Sequence, residues 1–177
     1  MSRRVLFAGM GIGLAALCAP AFMRMSAHER VFVVYNPTDS VPRGWYRVSS
    51  IDNAASLHVG SIVLARLPAD VALLAGQRGY LPRGVPILKR VGAVTPQSVC
   101  VRGQAVRVDG AVVATVRTHD DAHRPLQAWI QCRPLAEGEL FLLSNTNPAS
   151  FDSRYFGPIP ASAVLGIARP LWTWDAP

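Results

Sequence analysis

Lysine is almost missing from this chain of 177 residues: of its 18 basic side chains, 17 are arginine and one is Lys89. Arginine carries charge, forks to carboxylates and stacks on aromatics at least as well as lysine, but it cannot lose its proton near neutral pH. Lys89 is therefore the one side-chain amine available as a base. Acidic residues are also few, 11 in all, which leaves a net charge of +7. The arginines are scattered singly and no aromatic-basic array interleaves them, so the charge is surface balance and excludes a nucleic-acid footprint. Internal repeats, low-complexity linkers and a helix-turn-helix module are absent. The length leaves room for one domain with a real core and an appended segment, not for a second full domain.

One long stretch has no charge at all. "VLFAGMGIGLAALCAPAFM", Val5 to Met23, is 19 residues, about the length that crosses the hydrocarbon of a bilayer. Arg3 and Arg4 precede it, and the positive-inside tendency sends the chain beyond Met23 across the membrane. Ala19 and Ala21 would also suit a signal-peptide cleavage site, but the run exceeds the usual apolar core of about 7–15 residues. Residues 1–25 are expected to be a membrane anchor or signal segment, and 26–177 a periplasmic domain. The expected location is the inner membrane, with a cleaved periplasmic form as the alternative.

Cysteine is scarce too. Cys18 lies inside the apolar run, where a buried free thiol is expected. Cys100 and Cys132 fall in the translocated part, where an oxidising compartment would let them pair; the alternative is two unrelated small core residues.

Beyond residue 30 the chain reads as strands. Arg30 to Asn36, Gly44 to Val48, Gly60 to Leu67, Val85 to Val94, Gln104 to Val116, Glu139 to Asn145 and Ser162 to Trp172 are rich in β-branched and aromatic residues and punctuated by Gly and Pro. Asp109-Gly110 between two apolar runs signals a two-residue hairpin. Only Pro68 to Gly79 looks helical, opening on Pro68 and closing on Gly76. The fold class is mainly β.

A lone lysine base needs a nucleophile, and Ser-Lys pairs are one recurring solution in acyl transfer. In "YNPTDSVPRGWYRV", Tyr35 to Val48, Pro37, Pro42 and Gly44 force a turn with Ser40 at its centre, where exposed catalytic hydroxyls tend to sit. Period-two alternation places Ile87 and Val91 on the face of Lys89, an apolar setting that would lower an amine's pKa. A third segment, "NPASFDSRYFGPIP", gathers Ser150, Asp152, Ser153 and Arg154 after a strand.

Taken in order, Ser40-Val41-Pro42, Leu88-Lys89-Arg90-Val91 and Ser150-Phe-Asp152-Ser153-Arg154-Tyr-Phe-Gly157 resemble the three catalytic boxes of the type I signal peptidase family. The "NPTDSVPRGWY" and "FDSRYFGPIP" forms of the first and last boxes look most like its conjugative-transfer (TraF-type) branch. The resemblance implies antiparallel sheets of the signal-peptidase type with one N-terminal transmembrane helix, and a serine endopeptidase with a Ser-Lys dyad. Ser40 would be the nucleophile and Lys89 the general base. Thr38 would join the backbone N–H of Ser40 in the oxyanion hole. Ser150 would aim the lysine amine, and Asp152 with Arg154 would hold that loop. The implied substrate is an exported, pilin-like precursor, with cyclisation of the product as a further step; membrane lipid and conjugation or type IV secretion components are the other implied partners.

The chain also departs from the pattern. Val41 replaces the common Met after the nucleophile, Thr95-Pro96-Gln97-Ser98 replaces a Pro-Gly-Asp turn, and Ser144-Asn145-Thr146-Asn147 replaces the Gly-Asp-Asn that opens the last box. The missing Asp leaves the usual partner of Arg154 open, and Asp152 with Arg154 is expected to form a structural ion pair. His119 and His123 are four apart beside Asp120 and Asp121, a spacing that on a helix would suit zinc. Because "THDDAHRP" has no apolar periodicity, a solvated turn is expected, with no metal and no cofactor. Trp172 and Trp174 are expected to pack, with a membrane-facing edge. Two other functions fit the same sequence: a non-catalytic assembly component that retains the fold, and a self-cleaving Ser-Lys regulator, which the membrane segment disfavours.

Overall fold

The computed structural model describes residues 31–51 and 56–174. The expected anchor falls outside them, and among the described residues no helix is long and apolar enough to cross a membrane. The elements run β1 (Val31–Asn36), β2 (Gly44–Ser49), β3 (Ile62–Ala65), α1 (Ala69–Gln77), β4 (Ile87–Val94), β5 (Ser98–Arg102), β6 (Ala105–Val108), β7 (Ala111–Thr115), β8 (Cys132–Pro134), β9 (Glu139–Leu143), α2 (Ser153–Phe156), β10 (Ile159–Pro160) and β11 (Val164–Thr173). Every ladder is antiparallel. A seven-stranded sheet has the order β1-β2-β11-β3-β4-β9-β10, and a four-stranded sheet the order β7-β6-β5-β8. The protein is mainly β, in antiparallel sheets.

Side-chain alternation explains where each strand sits. In β2, Tyr46 and Val48 are fully buried while Trp45 and Arg47 face out, the period-two pattern of a half-buried strand. In β3, "IVLA" is buried on both faces, as a central strand must be. One face of the large sheet packs Val41, Tyr46, Val48, Leu64 and Leu88 together. Val63, Ile87, Val91, Leu142 and Ile159 form a separate apolar cluster. A third unites Val99, Val101 and Val106 of the small sheet with Phe141 and Leu143 of β9.

The Asp109-Gly110 hairpin is present between β6 and β7, with φ of 49° and 87°. Two positive φ values match the twist that a two-residue turn needs. Strands β5, β8 and β10 have no counterpart in the sequence reading, although Val99 and Val101 of β5 alternate inward. Helix α1 does not close on Gly76. It continues to Gln77, and the residue that leaves with positive φ, 71°, is Gly79. Gly76 is small because a Cβ there would sit 2.9 Å from Cγ of Arg83.

A further correction concerns the C-terminal tryptophans. Trp172 and Trp174 are 70% and 59% exposed, so they do not pack as the sequence suggests. Trp172 is the cross-strand partner of Trp45 on β2, and Trp45 and Leu171 are exposed as well. Tyr35 touches both Trp45 and Trp174, at ring-centroid distances of 5.1 and 5.9 Å.

Candidate active site

Three segments meet at one point. The first is the turn between β1 and β2, which carries Thr38 and Ser40. Gly44 closes it with φ of 147°, and a Cβ there would lie 2.0 Å from the carbonyl oxygen of Trp172. Only glycine suits both the backbone and the close approach. Inside the turn the amide of Asn36 donates to the carbonyls of Thr38, Val41 and Pro42. The Tyr46 hydroxyl donates to Pro42 at 2.6 Å. Neither residue was singled out by sequence, although Asn just before a Pro-containing turn is a recurrent way to tie a backbone locally.

The second segment is β4, where Lys89 faces Val63 of β3 across the ladder. Lys89 is 3% exposed, and its ammonium or amine nitrogen lies 2.7 Å from Oγ of Ser40. It also donates to Oγ of Ser150. Burial is the main influence on its pKa and lowers it from 10.5 to about 8, with Asp152 pulling it up and Arg154 pushing it down. Desolvation acts this way because an apolar surround penalises only the charged form.

The third segment joins β9 to α2. Ser150 is held by its N–H on the carbonyl of Asn147, and its hydroxyl is buried against Lys89. Asp152 caps α2 through the N–H of Arg154 and also accepts from the N–H of Ser144. Asp152 and Arg154 form the ion pair expected from sequence, two-pronged and at 2.8 Å on each oxygen. The remaining guanidinium hydrogens go to the carbonyls of Thr115, Pro148 and Ser150. Both charges are buried, and every donor has a specific acceptor, the condition under which an interior ion pair is tolerated.

Above these residues lies a cleft of about 950 Å³, lined by Ser40 and Lys89 and by apolar groups that include Leu64, Leu81, Val85 and Phe151. Chemically the arrangement offers a hydroxyl nucleophile, an amine whose pKa is near neutral, and an apolar groove beside both. All six site residues named from sequence, Thr38, Ser40, Lys89, Ser150, Asp152 and Arg154, fall in this one neighbourhood. His119 and His123 do not. They sit on a turn organised by Asp120, which accepts from the N–H groups of Ala122 and Arg124 and from the Tyr80 hydroxyl. Among the described residues no group of three or more His, Cys, Asp or Glu side chains is placed to hold a metal ion.

The family model for signal peptidase, peptidase S26, matches residues 5–174. The chain belongs to the signal peptidase family. Membership carries serine-type peptidase chemistry at the level of the family. Within the family the chain falls in the TraF-type branch. It is 34% identical to the probable conjugal transfer protein TraF of Sinorhizobium fredii, over 92% of this chain and 89% of that protein. It is 33% identical to the conjugal transfer protein TraF of Agrobacterium fabrum, over 99% of each. Against the plasmid transfer protein TraF of Escherichia coli the identity is 34%, over 78% and 82%. Among solved structures, a signal peptidase I from Enterococcus faecalis aligns with a TM-score of 0.38 and 21% identity, over 62% of this chain and 94% of that one.

Proposed function

We propose that this protein is a membrane-anchored serine endopeptidase working through a Ser40-Lys89 dyad. The observation that carries the reading is the buried Lys89 nitrogen 2.7 Å from the Ser40 oxygen. With a pKa near 8, roughly a tenth of the lysine is neutral at pH 7. The neutral amine takes the Ser40 proton as Oγ attacks a scissile carbonyl, and the ammonium then returns it to the leaving amine. Ser150 limits the amine to one orientation by holding it from the other side. The Thr38 hydroxyl, 3.2 Å from Oγ of Ser40, stands close enough to serve the oxyanion with the Ser40 N–H. Asp152 and Arg154 hold the Ser150 loop and take no part in proton transfer.

The relatives named for conjugal and plasmid transfer support a role in conjugation; the substrate proposed is an exported pilin-like precursor, in company with other components of a conjugation or type IV secretion apparatus. The acyl-enzyme is resolved either by water or by the precursor's own amine, which would close a ring. Incubating the membrane-embedded protein with a pilin-like precursor and recording the product's intact mass tests this: cleavage is expected only with Ser40 present, and a cyclic product is lighter than the linear one by one water. A non-catalytic assembly role predicts instead that Ser40→Ala supports conjugation as well as wild type.

The domain is proposed to lie in the periplasm, held at the inner membrane by the apolar N-terminal segment, with the exposed surface around Trp45 and Trp172 against lipid. A reporter fused after Pro177 and active only outside the cytoplasm is expected to be active; activity of a cytoplasm-only reporter contradicts this placement. Cys100 and Cys132 are direct partners across β5 and β8 with their sulfurs joined. An oxidising compartment would maintain such a bridge. Alkylation of the purified, unreduced protein is expected to label neither cysteine, and labelling of both would show that the bridge does not form.

A further inference from the structure

Side chains tie down much of the turn that carries Ser40. Thr146 donates to the carbonyl of Asp39, Tyr46 donates to that of Pro42, Arg43 pairs with the Asp39 carboxylate, and one further residue makes five hydrogen bonds within the turn.

That residue is Asn36, the last of β1, 5% exposed. Its amide nitrogen donates to the carbonyls of Thr38 at 2.9 Å, Val41 at 3.0 Å and Pro42 at 3.2 Å. Its amide oxygen accepts from the N–H of Thr38 at 3.2 Å and from the Thr38 hydroxyl at 2.8 Å. The orientation of the amide is set by these partners, since a backbone N–H can only donate and a carbonyl can only accept. One side chain thus grips the turn on both sides of Ser40.

The Thr38 hydroxyl has one hydrogen and two neighbours, Oδ1 of Asn36 at 2.8 Å and Oγ of Ser40 at 3.2 Å. With the hydrogen on Asn36, the Thr38 oxygen is fixed beside the nucleophile without competing for its lone pairs. Rotation about the Cβ–Oγ1 bond alone then redirects the hydrogen toward a negative oxygen forming at the site, and no heavy atom has to move.

We propose that Asn36 is a positioning residue of the peptidase reaction, holding Ser40 and the Thr38 hydroxyl in mutual register for acylation. This rests on the Ser40-Lys89 reading above. A purely structural Asn36 would lower stability and leave the reaction of the folded protein intact. A positioning Asn36 would change the rate of the folded protein through Thr38.

The test uses the full chain in detergent and p-nitrophenyl acetate as the probe. Ser40 attacks the acetyl carbonyl, its proton passes to Lys89, the ester bond breaks, and p-nitrophenolate leaves in a burst of one equivalent per protein. Asn36→Ala is expected to slow the burst by about 10²-fold, the scale of losing one oxyanion donor, with the amplitude and the pH midpoint unchanged. In a Thr38→Val background the same change is expected to cost less than about fivefold, because groups acting as a unit are not additive. Asn36→Ser, whose side chain is too short to keep the Thr38 hydroxyl contact but can still bond the local turn backbone, serves if Asn36→Ala does not fold, with the same comparison in the Thr38→Val background. A wild-type burst rate in a folded Asn36 variant, or costs that simply multiply with Thr38→Val, would overturn the proposal. A burst that survives Ser40→Ala would overturn the dyad itself.

Discussion

Lys89→Arg is expected to stop precursor processing as completely as Ser40→Ala, by a factor on the order of 10⁴ or more. The substitution keeps the charge and roughly the reach of the side chain, so a lysine that only contributed charge would tolerate it. A guanidinium cannot take the Ser40 proton near neutral pH, and the 2.7 Å contact to Ser40 would become a donor that never accepts. The double variant should be little worse than either single one, since neither member works alone. Stability should move the other way for an apolar replacement. Below pH 8 Lys89 is charged in both the folded and unfolded protein, and its displacement from 10.5 to about 8 corresponds to a penalty of about 3 kcal/mol. Lys89→Met should therefore unfold at a higher temperature than wild type at pH 7 while losing all activity. The sign follows from the unfolded chain holding the proton more tightly: stability rises with pH between about 8 and 10.5, where only the folded lysine has lost its proton. A folded Lys89→Arg protein that processes precursor near the wild-type rate would end the mechanism.

The second large effect is on folding. Arg154→Met should destabilise by about 3–5 kcal/mol, because it leaves the Asp152 carboxylate buried without its counter-charge. It also strips the carbonyls of Thr115, Pro148 and Ser150 of a donor. For a domain of this size that corresponds to a fall in Tm of roughly 10–15 °C, measurable by circular dichroism. Adding Asp152→Leu should recover part of the loss, since removing both charges is less costly than removing one. A Tm within about 1 °C of wild type would show that the pair is not what holds the Ser150 loop.

Much of this was readable from sequence, for reasons that can be traced to particular residues. The long strands declare themselves through β-branched runs and alternation, as in β2, where Tyr46 and Val48 point in and Trp45 and Arg47 out. The grouping of the candidate site is legible from a single lysine and two serine-bearing turns taken together with the resemblance of the three boxes to a known family; the structure brings these segments to one place. Short strands such as β8 and β10 were not, since three or two residues hold no period. The Asp152–Arg154 pair is legible because the two sit in one short loop, but not its complete burial or the reach of the guanidinium to the carbonyls of Thr115, Pro148 and Ser150. Asn36 is not singled out by sequence, because its three carbonyl partners appear only once the turn is folded. The exposure of Trp172 and Trp174 is not legible because aromatic residues usually dominate cores, and sequence does not say which face of a sheet stays uncovered.

The central claim is that Lys89 works as a buried amine with a pKa near neutral, and the scarcity of lysine makes it directly measurable. Protein grown on lysine labelled with ¹³C at the ε carbon carries the label at one position, because Lys89 is the only lysine in the chain. Its resonance, followed by NMR as pH is raised, is expected to titrate with a midpoint of about 8, and the acylation rate should climb with pH through the same midpoint because the neutral form is the base. A midpoint near the ordinary value of about 10.4, or an acylation rate that does not follow the titration, would contradict the account.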